Sequence, residues 1–395
     1  MKNKKLFSAL ASLLLVIAIL TGCVAHVENY DIWVPTDPTS SSSTPSSSVP
    51  SAGTQASQPG TTVTPPSSTP ATQPPASSTP ETQPPATQPP ATQPPATQPP
   101  TTLPPSTIPP VTQPPVNNPS NLPEGSSLEV HFIDVGQADA ILVICDGETM
   151  LIDGGNKADS NLMYSYLQKH NITHLNYVIG THAHEDHIGG IAGALQYATV
   201  DTVYCATKSY STQAFKNFVS AVNSRGASIK IPTIGMTFKV GNAVCTVLAV
   251  NTSNDDLNNT SIVIRMVYGE KSFLFAGDAE DIVEKKLLDS GVTLKSDVLK
   301  VGHHGSNSST TYTFLREVMP EYAVICVGSD NTYGHPTANT LSRLRDADVT
   351  TFRTDKQGDI ICVSDGKTLT FKVSRNANAN MYEKIGPNSL QRPTE

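Results

Sequence analysis

His182-Ala183-His184-Glu185-Asp186-His187, continued by Ile188-Gly189-Gly190, stands directly after the apolar run Tyr177-Gly180. Three imidazoles and two carboxylates in six residues repel one another or stay unsatisfied unless a cation sits between them. In an extended segment residues i and i+2 point the same way, so His182 and His184 can share one ion. Asp186 and His187 lie past the bend and can serve a second. A strand delivers this stretch and a helix carries it away, which makes the surrounding domain α/β.

Working outward, β-branched runs bounded by turn residues predict strands at Leu128-Val135, Ala140-Cys145 and Met150-Ile152 before the stretch. After it, strands are predicted at Thr202-Cys205, Val244-Val250, Ile262-Tyr268, Ser272-Ala276, Val298-Val301, Ala323-Val327, Asp359-Val363 and Thr368-Val373. Helical periodicity fits Ser160-His170, Thr212-Arg225, Glu280-Leu288, Thr311-Val318 and Thr337-Arg345. Strands interleaved with helices predict a sandwich with both sheets covered, spanning residues 126-375, with 376-395 as a flexible tail.

The first third of the 395-residue chain follows different rules. Lys2, Lys4 and Lys5 precede an apolar stretch from Leu6 to Leu20 and then Thr21-Gly22-Cys23, the layout of a secretion signal over residues 1-22. Leu20-Thr21-Gly22-Cys23 resembles the lipobox of bacterial lipoproteins. That resemblance implies a lipidated Cys23 at the head of a short segment, 23-35, anchored by more than one acyl chain. Between residues 36 and 125 stand 26 of the 32 prolines and only three charged residues, Asp37, Glu81 and Glu124, so this window cannot bury a core. Its Ala-Thr-Gln-Pro-Pro repeat reads as a disordered, Pro/Thr/Ser/Gln-rich linker biased to polyproline II. At about 3.1 Å per residue it would reach at most roughly 280 Å. The expected location is the outer face of a bacterial cytoplasmic membrane, held by lipid alone, with the domain projecting into or beyond the wall and the linker touching it.

The formal net charge is −8, and loss of the three leader lysines leaves 23 basic against 34 acidic residues, a charge of −11. This excludes a broadly basic protein that coats nucleic acid and leaves room only for a local basic groove. Cys145, Cys205, Cys245, Cys326 and Cys362 are odd in number and form no Cys-x-x-Cys pair, so buried free thiols are expected in place of a disulfide framework. Lys300 reads as a solvated charge at a strand end.

The metal stretch resembles the His-x-His-x-Asp-His loop of the metallo-β-lactamase superfamily, and further matches follow in order along the chain. Asp134, in Phe132-Ile133-Asp134-Val135-Gly136-Gln137-Ala138-Asp139, resembles the first motif, whose Asp supports the metal loop from behind. Gly277-Asp278 is similar to the motif whose Asp bridges two ions. Gly302-His303-His304-Gly305-Ser306 resembles the late motif that donates one His to the second ion, and spacing does not choose between His303 and His304. The resemblance runs from about Leu128 to Val373 and implies a four-layer αββα sandwich. Together with Tyr333-Gly334-His335-Pro336, these motifs look like the ComEC/Rec2 branch, in which such a domain is the extracytoplasmic hydrolase part of a DNA-uptake channel.

The resemblance implies two divalent ions, Zn or Mn. No His occurs from Ile188 through Gly302, so the first ion would have His182, His184 and Asp278 with water, Asn258 or Asn259 as a weak fourth ligand, and its site is expected to be weaker. Oxygen ligands there favour Mn over Zn. The second ion would have Asp186, His187, Asp278 and His303 or His304. Asp186, Asp278 and His335 are the expected catalytic residues, His335 assisting the departing oxygen, and Ser306, Asn307 and Tyr333 the substrate contacts. The function implied is hydrolysis of phosphodiesters in extracellular nucleic acid by a hydroxide held between the ions. A phosphoester hydrolase acting on phosphocholine-bearing wall polymers, a β-lactam or lactone hydrolase, and a non-catalytic DNA- or wall-binding lipoprotein are the alternatives. No protein partner is predicted.

Overall fold

The computed structural model describes residues 31–33, 122–252 and 256–383. The expectations for the leader, Cys23, most of the linker and the end of the tail lie outside the described residues. Strands are β1 Asp31–Trp33, β2 Leu128–Phe132, β3 Ile141–Cys145, β4 Glu148–Ile152, β5 His174–Gly180, β6 Thr199–Cys205, β7 Ile229–Lys230 and β8 Thr237–Val240. They continue as β9 Ala243–Ala249, β10 Val263–Tyr268, β11 Lys271–Phe275, β12 Val298–Lys300, β13 Tyr322–Ile325, β14 Thr350–Arg353, β15 Ile360–Ser364 and β16 Leu369–Val373. The α-helices are α1 Ser160–Lys169, α2 Glu185–Ile188, α3 Ile191–Tyr197, α4 Gln213–Ser224, α5 Asp281–Ser290, α6 Tyr312–Val318, α7 Ala338–Asp346 and α8 Thr354–Gln357.

Two sheets form, in the orders β1-β16-β15-β2-β3-β4-β5-β6-β7 and β14-β13-β12-β11-β10-β9-β8. In each, an antiparallel part gives way to a parallel part, at β4-β5 in the first and at β11-β12 in the second. Parallel neighbours need crossover connections, and helices α1 to α7 supply them. Three apolar cores separate four layers. Phe132, Met150, Phe273, Phe275, Phe352 and Phe371 meet between the sheets. Leu167, Ile191, Phe215 and Phe218 pack helices on the first sheet, and Val283, Phe314, Leu341 and Leu344 pack helices on the second. The architecture is the αββα sandwich expected from the sequence.

Helices α4, α6 and α7 start on Thr212, Thr311 and Thr337, whose hydroxyls accept from the backbone N–H three residues on, the usual N-cap arrangement. Helix α3 was not legible because Gly193 interrupts its pattern. A Cβ there would lie 1.9 Å from the Ser160 carbonyl oxygen, so the glycine is what lets α3 cross the start of α1. The five cysteines of the domain are free and buried. Residues 376–383, placed in the tail by composition, pack on the domain. Arg353 donates to the Met381 carbonyl, and the Tyr382 hydroxyl donates to the Val349 carbonyl.

Candidate metal centre

Strands β5, β11 and β12 end at one place, where they deliver the metal stretch, Asp278 and the His303-His304 pair. Asp153, just after β4, organises the first of these. Its carboxylate accepts from the Thr181 N–H at 2.8 Å, the Thr181 hydroxyl at 2.7 Å and His187 Nδ1 at 2.8 Å. A carboxylate only accepts, so His187 Nδ1 carries a proton and Nε2 is the nitrogen left to give a lone pair to a cation once it sheds its own proton. That Nε2 lies 3.2 Å from Asp278 Oδ2 and 3.9 Å from Asp186 Oδ2.

His304 is oriented the same way. Its Nδ1 has the Cys326 carbonyl at 3.0 Å and Asp139 Oδ1 at 3.2 Å, the carbonyl taking the hydrogen bond and the carboxylate standing as ionic neighbour. Nε2 then faces Asp186 Oδ2 at 3.4 Å and Asp278 Oδ2 at 3.5 Å. Ligands of a tetrahedral ion held at 2.0–2.1 Å stand about 3.3 Å apart, so separations of this size fit one ion among Asp186, His187, Asp278 and His304. One ligand atom from each lies within 4.8 Å of all the others. The Nε2 atoms of His187 and His304 and Oδ1 of Asp278 are buried without a hydrogen-bond partner, as lone pairs reserved for a cation would be.

A second pair adjoins. His182 Nε2 and His184 Nδ1 are 3.0 Å apart, and the rings of His182 and His187 are 4.1 Å apart between centroids. Ser261 ties this pair to the bridging position. Its hydroxyl oxygen accepts the Asp278 N–H at 3.0 Å and lies 3.4 Å from His182 Nδ1. The donor set therefore fits two neighbouring divalent ions with Asp278 between them.

His303 is not part of the four-residue cluster. Its Nδ1 faces Glu280 Oε1 at 3.2 Å, and its Nε2 stays 3.9 Å from Asp278. The backbone makes this choice. His303 and His304 both adopt left-handed dihedrals, φ 48° and 49°, which turns successive side chains in different directions at a cost of roughly 1–2 kcal/mol per residue. Asn258 lines the cavity with its Nδ2 3.4 Å from His303 Nε2. Asn259 turns away and donates to Glu280 Oε2 at 2.9 Å, so of the two weak-ligand candidates only Asn258 faces the site.

Above this donor set a cavity of about 350 Å³ is lined by His184, Glu185, Asp186, Asn258, His303, Tyr333 and His335 among others. Tyr333 is 72% exposed, with its ring stacked 5.8 Å from that of His335, which meets His303 edge-on at 5.5 Å. Two expected substrate contacts are corrected. Asn307 Oδ1 accepts from Asn339 at 3.0 Å and Arg343 at 2.9 Å, and the Ser306 hydroxyl pairs with that of Ser308 at 2.9 Å. Neither lines the cavity, and both brace the loop that carries His304.

Asp134 is corrected as well. The chain turns outward after β2, and Asp134 pairs with Arg375 at 2.7 Å. Asp153 and Asp139 stand behind the ligand imidazoles in its place. Lys300 is also not solvated. It is 1% exposed, with Nζ 2.8 Å from Asp139 Oδ2.

Burial takes His182 well below the ordinary imidazole range, and His187 beside it adds to the effect. Burial opposes charge at His304 also, but Asp278 and Asp139 outweigh it and push the group up to about 10. Asp278 and Asp139 likewise stay low against burial, Asp278 because of His187 and His304 and Asp139 because of Lys300 and His304. The folded value of His304 exceeds its unfolded value of about 6.5, so its charge stabilises the ion-free domain fully below about pH 6.5 and ceases to do so as pH rises through about 10. The Tm of chelator-treated protein is expected to fall from about pH 7 to about pH 10. Loading with a divalent ion, which releases those protons, is expected to remove the trend. Thermal scans across that range check this, and a Tm of the chelated protein that rises with pH contradicts it.

Residues 133–329 match the Metallo-beta-lactamase superfamily. ComE operon protein 3 of Bacillus subtilis is 28% identical over 264 residues, 62% of this chain and 34% of that protein. Recombination protein 2 of Haemophilus influenzae is 30% identical over 223 residues, 55% of this chain and 26% of that protein. The chain thus spans about a third or less of the length of these relatives. Among solved structures, the metallo hydrolase Igni18 from Ignicoccus hospitalis is similar with a TM-score of 0.43 and 16% identity, over 60% of this chain and 98% of that one. The chain belongs to the metallo-β-lactamase superfamily and, within it, is similar to the ComEC/Rec2 branch.

Proposed function

We propose that the domain is a two-ion hydrolase that cleaves phosphodiester bonds, with extracellular nucleic acid as substrate. The observation that carries this is the convergence of His182, His184, Asp186, His187, Asp278 and His304 beneath an open cavity. Bound divalent ions lower the pKa of water and neutralise charge on phosphoryl oxygens. The protein contributes the rest. Asp153, Asp139 and the Cys326 carbonyl set which imidazole nitrogen would face bound ions, and His335 lines the cavity over the donor set, where it can hand a proton to the departing oxygen. Tyr333 offers an aromatic face on which a base can stack. The name of one relative, a recombination protein, supports a nucleic-acid substrate.

The test is cleavage of single- and double-stranded DNA by the purified chain with Zn, Mn or Mg, beside an Asp186→Ala control. Ion-dependent cleavage lost in the control is expected, and equal rates in both proteins overturn the mechanism. Tyr333→Ala is expected to raise KM for DNA about 5- to 100-fold with little change in kcat, the equivalent of about 1–3 kcal/mol of stacking per base. A steady-state comparison checks it, and an unchanged KM removes Tyr333 from the substrate site.

One observation favours a second substrate. The residues lining the cavity include Glu185 and no lysine or arginine, which suits a phosphoester carrying a cation, as on phosphocholine-bearing wall polymers, where Tyr333 would face the quaternary ammonium. Turnover of p-nitrophenyl phosphocholine in preference to DNA would establish that reading. We further propose that Cys23 is lipidated and holds the protein at the outer membrane face. Metabolic labelling with an alkynyl fatty acid, lost in Cys23→Ala, is the expected result.

A further inference from the structure

Lys300 is the last residue of β12, flanked by Leu299 and Val301, which are both fully buried. An ammonium in such a place is costly unless paired. Its Nζ bonds Asp139 Oδ2 at 2.8 Å and donates to the Val301 carbonyl at 2.7 Å. Asp139 is itself 1% exposed and held from three sides. Its N–H donates to the Asp186 carbonyl at 3.1 Å, its carbonyl accepts from the Gly155 N–H at 2.8 Å, and Lys300 holds one carboxylate oxygen. The other oxygen is thereby presented to His304 Nδ1 at 3.2 Å. Asp139, Asp153 and His187 also form an acidic group compact enough to attract a cation of its own, and the Lys300 ammonium already stands against it.

We propose that Lys300 is a positioning residue of the metal centre: it holds the Asp139 carboxylate as a fixed charge behind the His304 imidazole, whose Nδ1 the Cys326 carbonyl already bonds, so steadying Nε2 toward the second-ion position, and it supplies the permanent cation of the carboxylate cluster. Nothing in this role requires Lys300 to touch substrate. The inference rests on the two-ion reading of the site. It adds that the strength and geometry of the second ion are set from a residue two contacts away.

The full chain is compared with Lys300→Met, and with a Lys300→Met, Asp139→Asn double variant that removes both buried charges together and so leaves no unpaired carboxylate to unfold the core. Ion stoichiometry and affinity are read by competition with a chromophoric chelator, the ligand field by the visible spectrum of the Co(II)-loaded protein, and the fold by the Tm of the chelated protein. In whichever variant folds, the second ion is expected to bind about 10- to 100-fold more weakly, the size of effect seen when the outer partner of a ligand is lost. The first ion should be unchanged and the Co(II) spectrum altered. A variant with lowered Tm but wild-type affinity for both ions and an unchanged spectrum overturns the proposal, since a purely structural lysine gives that result. Failure of the wild-type chain to bind two ions overturns the two-ion reading and the proposal with it.

Discussion

Asp278→Ala is expected to lower kcat for phosphodiester hydrolysis by at least about a thousandfold, some 4 kcal/mol of transition-state stabilisation, and to reduce bound metal from two equivalents to one or none. Asp278 is the carboxylate common to the ligand sets, 3.2 Å from His187 Nε2 and 3.5 Å from His304 Nε2, with its backbone tied through Ser261 to His182. Its removal deprives two imidazoles of the charge that holds them and leaves the ions without a bridge. Elemental analysis of the dialysed protein alongside rate measurements decides the matter. Two tightly bound ions together with more than a tenth of wild-type activity would show that Asp278 does not bridge.

Gly190→Ala is expected to be among the most damaging single-methyl changes in the domain, with Gly193→Ala. A Cβ at Gly190 would lie 1.9 Å from the Gly154 carbonyl oxygen, and one at Gly189 would lie 2.3 Å from the Lys157 amide nitrogen. Both obstacles are backbone, so no rotamer relieves them and the segments must part by more than an ångström. Those segments are the helix that carries the metal stretch and the turn after β4, joined by the Gly154 N–H to His187 carbonyl bond at 2.7 Å and the Gly190 N–H to Gly155 carbonyl bond at 3.0 Å. A loss above about 3 kcal/mol belongs to the exceptional end of point mutations and lowers Tm by roughly 6–12 °C in a domain of this size. Thermal unfolding measures it directly, and a Tm within about 2 °C of wild type contradicts the packing argument.

The candidate ligands at the first strand-to-helix bend are legible because they are contiguous, and a run of imidazoles and carboxylates has few uses without a cation. The alternation of strands and helices exposed the sandwich for a similar local reason. What sequence could not supply was direction. Asp134 and Asp139 flank one turn, and only the positive φ of Gly136 between them sends the first outward to Arg375 and the second inward to His304 and Lys300. His303 and His304 are adjacent and chemically identical, and the left-handed backbone at both decides which of them joins the four-residue cluster. Two further signals stand in the sequence. Asp153 follows the buried run Met150-Leu151-Ile152, and Lys300 sits inside Val298-Leu299-Lys300-Val301. A charge embedded in an apolar run needs a buried partner, and each of these has one beside a metal ligand.

The order of strands has a consequence for how the protein comes into being. β2 has β3 on one side and β15 on the other, with Val130 facing Cys362 across the latter ladder. The first sheet therefore stays open at its middle until the last strands have been synthesised. Such long-range pairing slows folding and leaves sticky edges exposed in the interim. The element that locks the sheet is thus among the last to be made, and loss of β15 and β16 would leave β2 as an unpaired edge.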